Sequence, residues 1–179
     1  MGFWDMLLQF AVPAIDKALA GEQSKPPAPV AHPAAPVIVA PDADLITFDD
    51  VVTASGKYPA RRLDPEFTEQ VKSNIKAFLP TLNAFLKELG IQKVTVTSGF
   101  RPTAVNAATP GAAKNSTHCL GKAVDIFDPG NSLNDLVLQH PELLKKYGLW
   151  VESRESTPNW CHLDCSTSRA DRPIRVFKP

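Results

Sequence analysis

Residues 115–128 read NSTHCLGKAVDIFD and place a histidine, a cysteine, a glycine and two aspartates within fourteen positions of a chain that has four histidines in all. On one continuous helix, His118 and Asp125 would be separated by a rise of about 10.5 Å, too far to share a single ion. Gly121 interrupts the run. The AVDIF that follows alternates as a strand does, with Ala123 and Asp125 on one face and Val124 and Ile126 on the other. A turn at Gly121 thus brings Asp125 within reach of His118.

The same alternation extends outward from this stretch. In WCHLDC, residues 160–165, Trp160, His162 and Asp164 share one face, and Cys161, Leu163 and Cys165 share the opposite, core-like face. Upstream, VTVTS at residues 94–98 is β-branched and reads as a strand opening into a loop at GFRP. A helix is expected from Asp64, with Pro65 in its first turn, to Gly90. Its buried stripe is Phe67, Val71, Ile75, Phe78, Leu82, Phe85 and Leu89, and Pro80 should bend or split it. A second helix is expected over residues 133–147, ending at Gly148. Strands and helices mix without a regular βαβ repeat, so the fold class is α+β, a small antiparallel sheet with flanking helices.

The 179 residues are 44% hydrophobic, enough for one sizeable core with a tail left over. Nineteen basic and nineteen acidic side chains cancel, which argues against a general electrostatic grip on nucleic acid. Residues 1–20 form an amphipathic N-terminal helix: Phe3, Leu7, Phe10, Ala14 and Ala18 recur at helical spacing, with a break near Pro13. It is too short to span a bilayer and suits docking or oligomerisation. Phe3 and Trp4 also fit contact with a membrane surface, although the polar face is poor in lysine. No signal peptide is expected, because Asp5 precedes any basic residue. Residues 21–41 are a Pro/Ala-rich linker of semi-rigid polyproline II type, in which His32 is solvated. The folded domain spans residues 42–179. Nothing in the sequence specifies an oligomeric state.

Three cysteines are too few for a disulfide scaffold. Cys161 and Cys165 read as small buried hydrophobes, and a Cys119–Cys161 bridge is the alternative. A zinc finger of His118, Cys119, Cys161 and Cys165 would need ligands from both faces of one strand. His118, Asp125 and His162 are then left as a set of two imidazoles and a carboxylate. Three such ligands leave a fourth tetrahedral position open, the pattern of catalytic zinc. A histidine and an aspartate seven apart also arise by chance in chains that bind no metal.

SGFRP at residues 98–102, the spaced set Ser116, His118, Gly121, Ala123, Asp125, and Trp160 with His162 together resemble the zinc D-Ala-D-Ala carboxypeptidases and the phage L-alanyl-D-glutamate endopeptidases, which share the Hedgehog/DD-peptidase fold. The resemblance covers residues 46–179. It implies that His118, Asp125 and His162 bind zinc, that Arg101 holds a substrate carbonyl or oxyanion, and that Ser116 orients substrate or a ligand, where a local turn hydrogen bond is the competing role. It further implies hydrolysis of peptidoglycan stem peptides at the bacterial cell wall, as in a phage endolysin or a virion-associated enzyme. The N-terminal helix and spacer lie outside the resemblance and fit a tether to a larger assembly such as a phage particle. That family usually carries an acidic residue three positions before the last histidine ligand, where this chain has Asn159. Glu152, at the end of GLWVE on an expected neighbouring strand, is the first choice of base. Glu155 lies in the loop between, and Asp164 shares a face with His162, which suits orienting the imidazole. If none serves, the domain is a zinc-containing module that binds cell wall, or builds a virion, without cutting. The tail with Arg172 and Arg175 either lines the groove or forms a surface edge.

Overall fold

The computed structural model describes residues 43–169, 172 and 174–178. The expected N-terminal helix and proline-rich linker lie outside the described residues.

Five strands form one sheet: β1 (Val96–Ser98), β2 (Ala123–Phe127), β3 (Trp150–Glu152), β4 (Trp160–Asp164) and β5 (Val176–Phe177), in the spatial order β1-β2-β4-β3-β5. Every neighbouring pair is antiparallel except β3 and β5, which run parallel at the edge. The fold is therefore α+β with a mixed sheet. Helices α1 (Phe48–Thr53), α2 (Glu69–Glu88), α3 (Thr103–Ala107), α4 (Ser132–Gln139) and α5 (Pro141–Lys146) flank it.

The alternation of β2 and β4 sorts their side chains as the pattern requires. Val124, Ile126, Cys161 and Leu163 enter a core with Val71, Ile75, Phe78, Leu82 and Phe85 of α2, leaving Asp125 and His162 on the other face. All three cysteines are free, with Cys161 fully buried and Cys165 packed against the same core, so the Cys119–Cys161 bridge is absent.

Three expectations are corrected. Helix α2 begins at Glu69, not at Asp64, because the Asp64 carboxylate and carbonyl accept the amides of Glu66 (2.8 Å) and Phe67 (2.9 Å) and close a local turn. The cap is Thr68, whose hydroxyl accepts the Val71 amide at 3.3 Å. Phe67, outside the helix, still packs between Phe48 and Phe100 at ring-centroid distances of 6.2 and 5.3 Å. Pro80 does not split α2. It sits on the exposed face, where water can take the hydrogen bond that its missing amide forgoes. The helix expected over residues 133–147 is two helices, because a residue preceding proline is pushed out of helical geometry, and His140 before Pro141 has φ −123° and ψ 57°. Asp128, 3% exposed, starts α4 by accepting the amides of Leu133 (3.0 Å) and Asn134 (2.8 Å).

Two glycines set the site's supports. At Gly99 a Cβ would stand 2.0 Å from the Val51 carbonyl oxygen, so α1 packs directly on the backbone that leaves β1. At Gly121 φ is +66° and a Cβ would meet Ile75 Cγ1 at 2.8 Å, which seats the turn between His118 and β2 against α2.

Candidate metal centre

His118 sits in a single 3₁₀ turn, Thr117–Leu120, whose N-cap Ser116 accepts the His118 amide on its hydroxyl at 3.4 Å. Asp125 and His162 are direct cross-strand partners on β2 and β4. The turn closes over this pair. His118 Nε2 lies 3.2 Å from Asp125 Oδ1 and 3.3 Å from His162 Nδ1, and His162 Nδ1 lies 2.8 Å from Asp125 Oδ1. Both histidines are buried, at 1% and 6% exposure.

The outer faces of the rings decide their tautomers. His118 Nδ1 is 2.7 Å from the Gly99 carbonyl oxygen and must donate its proton there, so Nε2 presents a lone pair. His162 Nε2 is 3.4 Å from Asp164 Oδ2, which draws its proton to that side and turns Nδ1 inward. Two lone pairs and a carboxylate oxygen can then converge on one point, an arrangement that could hold a metal ion. Ligands of a tetrahedral zinc at about 2.0–2.1 Å stand roughly 3.3 Å apart. Two of the triangle's edges, 3.2 and 3.3 Å, match that spacing, and the third, 2.8 Å between His162 Nδ1 and Asp125 Oδ1, is a hydrogen-bond distance. Among the described residues, this is the group of histidine, cysteine and acidic side chains close enough to share a metal.

The triangle opens on a cavity of about 550 Å³ whose wall also holds Arg101, Ser116, Glu152 and Trp160. Arg101 is 8% exposed. Its Nη2 is 3.9 Å from Asp125 Oδ2, its amide donates to the His118 carbonyl at 3.2 Å, and its buried Nε has no hydrogen-bond partner among the described residues. The guanidinium thus brings a permanent positive charge and planar donors to the cavity wall. Ser116 lines the same wall while its hydroxyl serves the turn.

Trp150 and Val151 of β3 pair with Asp164 and Leu163 of β4, and the next step of this register sets Glu152 across from His162. Asp125, His162 and Glu152 thus form a row over three adjacent strands. Glu152 is half-buried, and its carboxylate makes no hydrogen bond among the described residues. Burial raises its pKa above the ordinary value; Asp125 and Asp164 add to this, and His162 offsets part of it. Glu155 and Asn159 are both exposed and off the cavity wall. Asn159 instead contributes its backbone carbonyl to the Asp128 amide at 2.9 Å.

The family model for peptidase M15 matches residues 62–164, more than half of the chain. The chain belongs to the peptidase M15 family. No curated protein matches it. M15 peptidases are zinc-dependent metallopeptidases, and the triad His118, Asp125 and His162 offers donors of the right chemistry and spacing for that ion. The matched interval of this M15 domain also contains Arg101, Ser116 and Glu152.

Electrostatics of the M15 site follow from the shared carboxylate. Burial works against the charged form of Asp125, but the charges and hydrogen bonds of His118 and His162 outweigh it and hold the group well below the usual carboxylate range. The two imidazoles move oppositely. Burial keeps His118 below its ordinary value despite Asp125. Burial also opposes His162, yet the hydrogen bonds it donates to Asp125 and Asp164 and their charges push it up to about 9. The asymmetry is geometric: His162 stands between two carboxylates, whereas His118 has a carbonyl on its far side. Without metal, the extra proton therefore resides on His162.

That proton has a measurable consequence. A folded-state pKa above the unfolded value of about 6.5 stabilises the metal-free fold fully below pH 6.5, and the contribution is lost as pH rises through about 9. The chelated protein is expected to show a urea midpoint that declines across this window, and zinc uptake within it to release about one proton per ion. A flat midpoint with no proton release would place the proton elsewhere.

Sequence reasoning had no means of finding two supports of the site. The Gly99 carbonyl that orients His118 is backbone and has no residue signature. Phe177, whose ring meets that of His162 edge-on at 5.8 Å, comes from a two-residue strand.

Proposed function

We infer that this M15 domain hydrolyses peptide bonds in the stem peptides of bacterial peptidoglycan, as a carboxypeptidase or an endopeptidase, with zinc held by His118, Asp125 and His162. The observation that carries the reading is the row Asp125–His162–Glu152, which sets a half-buried carboxylate, without a hydrogen bond among the described residues, beside the candidate metal triad on one cavity wall. A zinc ion there would polarise the scissile carbonyl and acidify a water molecule.

Glu152 takes a proton from the attacking water and delivers it to the leaving amine nitrogen as the C–N bond breaks. Its raised pKa suits a group that must both accept and release a proton near neutrality. Arg101 supplies donors to the carbonyl oxygen as that atom gains charge. The cationic side chains of Arg101, Arg172 and Lys178 on the cavity wall favour an acidic peptide such as a stem peptide. A tether through residues 1–41 to a virion or membrane surface fits an enzyme that works at the cell wall.

The test combines elemental analysis of the purified chain with release of amino groups from purified peptidoglycan. One zinc per chain together with cleavage supports the reading, and mass analysis of the products separates a terminal from an internal cut. One zinc without cleavage, on walls of several chemotypes, replaces it with a zinc-containing wall-binding module.

A further inference from the structure

The family match ends at Asp164, yet two of the four groups that hold Asp164, Ser166 and Arg169, come from beyond it. This carboxylate is 1% exposed. Its Oδ1 accepts the Ser166 amide at 2.9 Å. Its Oδ2 faces Thr117 Oγ1 at 3.3 Å, His162 Nε2 at 3.4 Å and, closest, Nη2 of Arg169.

Arg169 is itself locked in place. Its guanidinium carbon lies 3.7 Å from the centroid of the Phe177 ring and 5.4 Å from that of Trp150, and its side chain is 16% exposed. Phe177 in turn meets His162 edge-on. The segment between β4 and β5 thus closes a ring of contacts, Arg169 to Asp164 to His162 to Phe177 and back to Arg169. Burying an ion pair contributes little net stability, because desolvation offsets the attraction, and here the buried Arg169 Nε has no hydrogen-bond partner among the described residues. Stability alone is a poor reason for such an arrangement. Its geometric effect is definite: with one oxygen held by an amide and the other by a stacked guanidinium, Asp164 cannot rotate away from His162 Nε2.

We propose that Arg169 is a positioning residue for the metal centre. Through Asp164 it fixes the tautomer and ring orientation of His162, so that Nδ1 faces the ion; the C-terminal strand is then part of the site and more than an edge of the sheet. The inference rests on His118, Asp125 and His162 binding zinc.

The experiment measures zinc affinity by chelator competition, and the visible spectrum of the cobalt-loaded protein, for the full chain and for Arg169→Gln and Arg169→Lys. The glutamine variant is expected to bind zinc ~10–100-fold more weakly with altered cobalt bands, and the lysine variant to recover most of the loss. A merely structural anchor would lower the melting temperature of the metal-free protein and leave affinity and spectrum unchanged. An Arg169→Gln affinity within about threefold of the parent, with the parent's cobalt bands, overturns the proposal. Should that variant not fold, Phe177→Leu removes the plane under the guanidinium while keeping every charge; weakened zinc binding there supports the proposal, and parental affinity overturns it. A parent chain that binds no zinc overturns the reading beneath it instead.

Discussion

Glu152→Gln is expected to retain one zinc per chain and to lose about 10³-fold in turnover on peptidoglycan, within the range that a positioned general base contributes. The two halves of that result have separate causes. Zinc is kept because Glu152 lies outside the triangle of His118 Nε2, His162 Nδ1 and Asp125 Oδ1. Turnover is lost because an amide of nearly the same shape cannot accept the proton of water. The competing carboxylates differ in their surroundings. Asp164 is committed to His162, Arg169, Thr117 and the Ser166 amide. Glu155 is exposed, and its backbone and Ser153 hold it below the ordinary carboxylate value, which leaves it a weak base off the cavity wall. The measurement is the initial rate of amino-group release at saturating substrate, with metal content determined on the same preparation. A variant with parental turnover would remove Glu152 from the reaction.

The position of Glu152 illustrates what a sequence can and cannot disclose. Strand alternation is a period-two property of the chain itself, so the shared face of His162 and Asp164 and the core face of Cys161 and Leu163 could be read directly. Register between strands is different. That β3 inserts beside β4, and thereby sets Glu152 across from His162, depends on pairing over a loop whose Ser156, Thr157, Pro158 and Asn159 mark a turn but do not set the register. A linear motif points to Asn159, but the same loop turns it to solvent. Errors at helix ends have local causes: the Asp64 carboxylate satisfies nearby amides and delays α2, and Pro141 breaks a pattern whose apolar spacing continues past it. Strand β5 is two residues long and exists because its parallel partner is there, so its own composition could not announce it.

The second large effect concerns the triad and separates a metal site from a buried ion-pair network. His118→Ala and His162→Ala are each expected to abolish stoichiometric zinc, because two remaining donors cannot replace the three that converge in the parent. Their consequences without metal should differ. In the chelated parent, His162 carries the proton that lies between the carboxylates of Asp125 and Asp164. Its removal leaves two buried acids facing each other, and breaking a buried pair in this way costs about 3–5 kcal/mol. His118 is neutral there, so its loss leaves a cavity without a bare charge and is the milder change in chelator. In zinc, the parent should gain about 2.7 kcal/mol at an ion concentration one hundred times Kd, and neither variant should gain anything. Urea midpoints of the three proteins, with chelator and with zinc, give all six values. A parent whose midpoint does not respond to zinc would show that the triangle is held by its proton alone, and the hydrolase reading would fall with it.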